Sequence, residues 1–193
     1  SGTIAHNEYT GQILYNNNEC KFQKIHDSEK LGIVIIHQEL ALIPELTIAE
    51  NMFLGNERKN RFGIIDWNET FHRADQAMKA VGLNENTQSL IKDIGTGKQQ
   101  LVEIAKAISK DVKLLILDEP TSSLNDEDSR MLLDMLIRFK KEKGITSIII
   151  THKLQEVAYV ADEITVIRDG MTIETIDNSD HLINEERIIK GMV

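Results

Sequence analysis

Three short apolar runs rich in β-branched residues, at residues 32–36, 114–117 and 147–150, are separated by long stretches with helical periodicity. Such a run is the pattern of a strand buried on both faces, and strands that alternate with helices pack as a parallel sheet with crossover helices. Each run is also followed by polar residues: Gln38 after the first, Asp118-Glu119-Pro120-Thr121 after the second, Thr151-His152 after the third. Open parallel sheets bind ligands at the carboxyl edge of their strands. Polar groups gathered at one edge of one sheet therefore predict a site.

The remaining elements have their own signals. Residues 12–15 read as a short strand, Asn16, Asn17 and Asn18 as a turn, and the stretch to Phe22 as a return strand, together an edge hairpin. Thr47-Ile48-Ala49-Glu50 is a capping box that opens a short helix. Phe71, Ala74, Met78 and Val81 recur at helical spacing before Gly82, and Leu101, Ile104, Ala105 and Ile108 form a second apolar stripe. Residues 126–143 carry Asp126, Glu127 and Asp128 in the first turn, Lys140, Lys141 and Lys143 in the last, and Gly144 behind. That layout suits the helix dipole and is structural. Residues 164–167 and 171–176 around Arg168-Asp169-Gly170 read as a hairpin, followed by a final helix near 185–190.

Composition removes several classes. With 22 Lys+Arg against 31 Asp+Glu the net charge is −9, a field that repels polyanions and argues against nucleic acid as the main partner. No uninterrupted apolar stretch approaches the roughly 20 residues that span a bilayer, and residues 1–10 lack the basic-then-apolar pattern of a secretory signal. The single cysteine, Cys20, excludes an internal disulfide framework and a multi-cysteine zinc site, and fits a reducing compartment.

The densest chemistry lies where residues 114–117 deliver Asp118 and Glu119 side by side. In phosphate-transfer sites the first such carboxylate holds Mg²⁺, usually through water, and the second polarises the attacking water.

Residues 32–40 through His37-Gln38-Glu39-Leu40, residues 99–107 from Gln99-Gln100 onward, residues 114–124, and Ile150-Thr151-His152-Lys153 together resemble the ATP-binding subunits of ABC transporters, most of all the sugar importers of the ribose, galactoside and xylose type. The resemblance runs over essentially the whole chain, with four motifs in order. It implies an α/β fold of the ABC-type P-loop NTPase class, with a parallel-sheet core, an antiparallel β edge and an inserted helical subdomain. Residues 1–38 would be a remnant of the ATPase core and β edge, 39–109 the helical subdomain with the signature loop and helix, and 110–193 the core with Walker B, D-loop and H-loop.

By the same resemblance, Gln38 would be the Q-loop glutamine that senses Mg²⁺ and the attacking water, with residues 39–53 facing the membrane subunit. Asp118 would be the Walker B aspartate that holds Mg²⁺, Glu119 the catalytic glutamate and His152 the switch histidine at the γ-phosphate. Residues 122–125, with Ser123 and Asn125, would be the D-loop. Ile94-Gly95-Thr96-Gly97-Lys98 would be the signature loop, leading into a helix over 99–109 and capping the nucleotide of a second ATPase domain. ATP and Mg²⁺ are the implied ligands. The implied partners are membrane-spanning permease subunits, a second ATPase domain and, indirectly, a sugar-binding protein, at the cytoplasmic face of the membrane. The family's usual signature is Leu-Ser-Gly-Gly-Gln. Here Gly95 replaces the serine, Thr96 the first glycine and Lys98 the glutamine, so the γ-phosphate loses a hydroxyl donor while Lys98 adds a cation near it. Asn125 stands where aspartate is usual.

The 193 residues contain no G-x-x-x-x-G-K-S/T, the loop that cradles the β and γ phosphates. Gly95-Thr96-Gly97-Lys98 is no substitute, because Lys92 occupies the first glycine position and Gln99 that of the Mg²⁺-binding hydroxyl. Ser1-Gly2 fits the segment that follows the family's P-loop helix, so the expectation is a fragment of a longer two-domain protein, truncated at its N-terminus and inactive alone. The expected function of the parent is ATP hydrolysis that drives sugar import. The alternative is a nonenzymatic regulatory or interaction module that keeps the fold without the nucleotide chemistry. A soluble relative acting on DNA or ribosomes is disfavoured by the absence of a basic surface or coiled-coil heptads.

Overall fold

A computed structural model describes residues 8–57, 59–183 and 185–192, so Ser1-Gly2 lies outside the described residues. In chain order the elements are β1 (Leu14–Tyr15), β2 (Asn18–Glu19), α1 (Ile25–Glu29), β3 (Ile33–Ile36), α2 (Ile48–Phe53), α3 (Trp67–Ala80), a 3-10 turn (Ile91–Asp93), α4 (Thr96–Ile108), β4 (Leu114–Asp118), α5 (Asp126–Lys143), β5 (Thr146–Ile150), α6 (Leu154–Val160), β6 (Glu163–Arg168), β7 (Met171–Asp177) and α7 (Glu185–Met192).

The β-branched runs form a parallel sheet in the order β3-β4-β5, with Ile33 opposite Leu114 and Asp118 opposite Ile150. Gly32 precedes β3 rather than opening it. Its φ of 76° is in the left-handed region, and a Cβ there would lie 3.0 Å from the Asp111 carbonyl, so glycine is required. Register sorts the side chains. Ile36, Leu115 and Leu117 face one way, into a core shared with α2, α3, α4 and α5 that includes Ile48, Met78, Ile104, Leu132 and Phe139. Ile33, Leu114 and Ile116 face the other way, under Cys20 and Phe22.

That second cover stops at β4. Ile148 and Ile150 on β5 are 47% and 52% exposed, so β5 is not buried on both faces as its sequence implies. Among the described residues β5 has no strand on its outer side, and a cavity of about 1180 Å³ separates it from α6, β6 and α7. A β-branched run reports strand propensity; coverage depends on what else packs there.

The edge hairpin is tighter than its sequence suggests: Asn16 and Asn17, both at positive φ, make the turn, and Asn18 pairs with Tyr15 in the ladder. The β6–β7 hairpin turns at Asp169 and Gly170 and packs Ile164 and Val166 against Ile188 of α7. In the helical insertion, Thr47 and Glu50 form the capping box, and the buried amide of Asn51 bonds Ile43, Leu46 and Thr47. Backbone bonds Ile48 N to Ser89 O, Ile91 N to Leu46 O and Lys92 N to Pro44 O join this segment to the approach to α4. Gly144 ends α5 at φ 65°, as a C-cap glycine should.

Candidate active site

Because β3, β4 and β5 are in register, the loops that leave their carboxyl ends converge. Gln38 donates Nε2 to Glu119 Oε2 at 3.3 Å, and His152 Nδ1 lies 3.2 Å from Glu119 Oε1. Both oxygens of one carboxylate are engaged from neighbouring strands, so Gln38, Glu119 and His152 are brought together. Glu119 has φ 44°, a left-handed conformation that a non-glycine residue holds only when its surroundings impose it. Here its N–H donates to Ile150 O at 2.8 Å, and its carbonyl accepts from Ser122 N at 3.2 Å. The His152 side chain is 68% exposed and that of Glu119 31%, so the pair opens to solvent and to a ligand.

Asp118 ends β4, half-buried, on the face of Leu114 and Ile116. The donor set suits a hard cation. Asp118 offers a carboxylate, and Gln38, its Nε2 committed to Glu119, offers Oε1; oxygen ligands with retained waters are what Mg²⁺ takes. No cluster of three or more His, Cys, Asp or Glu among the described residues forms a protein-only metal cage.

The second group of candidate residues meets through a residue that the sequence marks only as a helix-dipole charge. Asn125 caps α5, accepting from Asp128 N at 2.8 Å and donating Nδ2 to Asp128 Oδ2 at 3.0 Å. The same Asp128 carboxylate abuts Gly97, where a Cβ would lie 2.5 Å from Oδ2. Asn125 and Gly97 are thus joined across Asp128, with exposed Ser123 in the turn just before Asn125. Helix α4 starts at Thr96, not at Gln99, with Gly95 extended as its N-cap, so Thr96, Gly97 and Lys98 form its first turn. Lys98, its side chain exposed, is ion-paired with Glu85.

Further side chains hold these loops in place and carry no motif signal that assigns them a role. Gln99 donates Nε2 to the carbonyls of Ile91 at 3.1 Å and Ile94 at 2.9 Å, fixing the loop before Gly95. Buried Thr121 donates to Glu156 Oε2 at 2.6 Å, and Lys153 Nζ donates to Thr121 O at 2.7 Å.

A family model described as ABC transporter matches residues 3–122. The L-arabinose transport ATP-binding protein AraG of Geobacillus stearothermophilus is 56% identical over 193 residues, which is 100% of this chain and 37% of that protein. The xylose import ATP-binding protein XylG of Escherichia coli strain K12 is 46% identical over 192 residues, 100% of this chain and 37% of its own length. The chain therefore spans little more than a third of the length of these curated relatives. Among solved structures, a nucleotide-free ATP-binding cassette from an ABC transporter matches with a TM-score of 0.79 at 18% identity, covering 98% of this chain and 76% of that one. The structure of cbiO1 from Clostridium perfringens, part of the ABC transporter complex cbiONQ, matches with a TM-score of 0.77 at 26% identity, covering 98% and 74%. The shared architecture is the ABC-type P-loop NTPase fold.

Proposed function

The chain belongs to the ABC transporter family, and from that premise we propose that it is part of an ATP-hydrolysing subunit that energises sugar import. The observation that carries the reading is the engagement of both Glu119 oxygens, by Gln38 and by His152, at the carboxyl edge of the sheet. The names of the relatives, L-arabinose transport and xylose import ATP-binding proteins, support a pentose as the class of cargo.

In this reading Glu119 orients the water that attacks the γ-phosphate and accepts the proton that the water gives up, while Gln38 and His152 fix the carboxylate. The imidazole, which is turned to solvent, would contact the γ-phosphate. Asp118 and Gln38 would hold Mg²⁺, which neutralises phosphate charge when bound. Catalysis of this kind is positioning plus electrostatics, so the residues act by where they stand. Residues Gly95, Thr96, Gly97, Lys98, Ser123 and Asn125 would face the nucleotide held by a second ATPase domain, and residues 39–53 a permease subunit. The corresponding division is 1–38 and 110–193 as core and 39–109 as helical subdomain.

The lysine-bearing phosphate loop is, in this reading, supplied by sequence outside these 193 residues. The greater length of the relatives supports that, as do the free outer edge of β5 and the cavity beside it, which leave room for another strand between β5 and β6. No helix among the described residues is long and apolar enough to cross a membrane; a place at the cytoplasmic face beside separate membrane subunits is part of the proposal. A nonenzymatic module is the second reading, favoured by the altered signature loop and by Lys98 being tied to Glu85. ATP hydrolysis by membranes that hold the full-length protein and its permease, with and without pentose and the binding protein, separates the two. Stimulation by the loaded binding protein supports transport; no hydrolysis in any condition overturns it in favour of the module.

A further inference from the structure

We propose that Lys153, Glu156 and Thr121 form a positioning clasp that holds His152 against Glu119 and fastens both to the 121–125 loop. The proposal rests on the reading of Glu119 as the group that orients the attacking water.

The contact between Glu119 and His152 does not secure itself. An ion pair or hydrogen bond whose histidine is 68% exposed is screened by water and contributes too little to fix two side chains on separate loops. Order has to come from behind it. The residue after His152 is Lys153, whose Nζ donates to the Thr121 carbonyl at 2.7 Å and lies 3.3 Å from Glu156 Oε1. Glu156 Oε2 accepts from the Thr121 hydroxyl at 2.6 Å. Thr121 is only 1% exposed and the Glu156 side chain 13%, so these charge-assisted bonds are shielded where the Glu119–His152 contact is not.

The connections close a ring. Glu119 meets His152; His152 is joined by one peptide to Lys153; Lys153 and Glu156 grip Thr121; and Thr121 lies two residues from Glu119. The Lys153 backbone N–H also donates to Thr151 Oγ1 at 3.1 Å, which stiffens the loop that carries the imidazole. The Thr121 carbonyl accepts a second bond, from Leu124 N at 3.2 Å, so the clasp reaches the turn that leads to Ser123 and Asn125. Lys153 supplies reach and charge, Glu156 both carboxylate oxygens, and Thr121 a hydroxyl donor and a carbonyl acceptor. All three act through His152 and Glu119.

Single-turnover and steady-state ATP hydrolysis by the full-length protein assembled with its permease, with hydrolysis by the second ATPase domain disabled, tests the clasp. Lys153→Met and Thr121→Val should each lower kcat by about 10- to 100-fold, the cost of displacing a catalytic group by on the order of 1 Å. The KM for ATP should stay within about twofold, because ground-state binding is untouched. Lys153→Arg should restore most of the rate, since a guanidinium fork spans the carbonyl and the carboxylate. In a His152→Ala background Lys153→Met should cause a much smaller loss than it does alone. The clasp is overturned by a rise in KM at unchanged kcat, by losses that multiply in the double variant, or by Lys153→Arg being as impaired as Lys153→Met. Glu119→Gln in the same assay separates the two levels of inference. Turnover that survives it overturns the reading of the site and the clasp with it; turnover abolished by it yet intact in both Lys153→Met and Thr121→Val overturns the clasp alone.

Discussion

The carboxylate of Glu119 lies 3.2 Å from Nδ1 of His152, a residue 33 positions later in the chain. The parallel register of β4 and β5, with Asp118 opposite Ile150, brings the two loops that carry these residues side by side and sets them within reach of each other. The sheet supplies the proximity, and the shielded bonds among Lys153, Glu156 and Thr121 hold the side chains there.

Glu119→Gln keeps the size and the hydrogen-bonding reach of the side chain and removes its charge. In the full-length protein, with the second site disabled, the loss of a general base should lower turnover by about 10²-fold or more and leave ATP bound. Phosphate release and nucleotide retention measured together check this, and unchanged phosphate release would sink the assignment.

Gly97→Ala places a methyl group 2.5 Å from Asp128 Oδ2. Overpacking should cost about 1 kcal/mol in the native background. With Asp128→Ala the obstacle is gone, and the better helix propensity of alanine should then stabilise α4 by up to about 1 kcal/mol. The reversal of sign, read by denaturant unfolding of the four members of the cycle, is the expected result; the same sign in both backgrounds contradicts the contact.

Asn51→Leu removes a buried amide that bonds the backbone of Ile43, Leu46 and Thr47. The three carbonyls keep backbone donors, so the Ile43 N–H is the group left without its partner; that should cost about 1–3 kcal/mol, which for a chain of this size lowers the midpoint of thermal unfolding by roughly 3–10 °C. A shift under about 2 °C would mean that water replaces the amide.

Glu50 accepts bonds from the backbone N–H and the hydroxyl of Thr47, which hold its carboxyl below the ordinary glutamate value of 4.5. The folded state thus binds the proton less readily than the unfolded one, so this contribution is complete above pH 4.5 and fades as pH falls through the folded value. Glu50→Gln should be less stable than the parent near pH 7, with the gap narrowing at pH 3–4. Thermal melts across that range check it, and a gap that widens on acidification reverses the sign.

The sheet and its carboxyl-edge residues are legible in the sequence because β-branched runs and the polar residues behind them are local signals. Gln38, Glu119 and His152 meet as that order implies. Helix α6 carries no such signal, since Leu154–Val160 is under two full turns and buries no residue completely. The start of α4 is hidden by Gly95-Thr96-Gly97, whose composition reads as loop although the backbone is helical from Thr96. Lys98 pairing with Glu85, Asp128 bridging Asn125 and Gly97, and Thr121 gripped from α6 are contacts between distant segments, which periodicity does not encode. Charge at residues 126–128 reads correctly as a helix start, yet one of its members also joins two loops.

Among the described residues the outer edge of β5 is unpaired, which gives this part of the molecule an adhesive side. Its unpaired backbone groups stand beside Ile148 and Ile150, without the lysines, prolines or bulges that blunt edge strands in solitary proteins. An extended apolar segment of another copy, entering the space between β5 and β6, could satisfy them. Handled alone at high concentration, the chain should self-associate through this strand, and a lysine at position 148 should keep it dispersed.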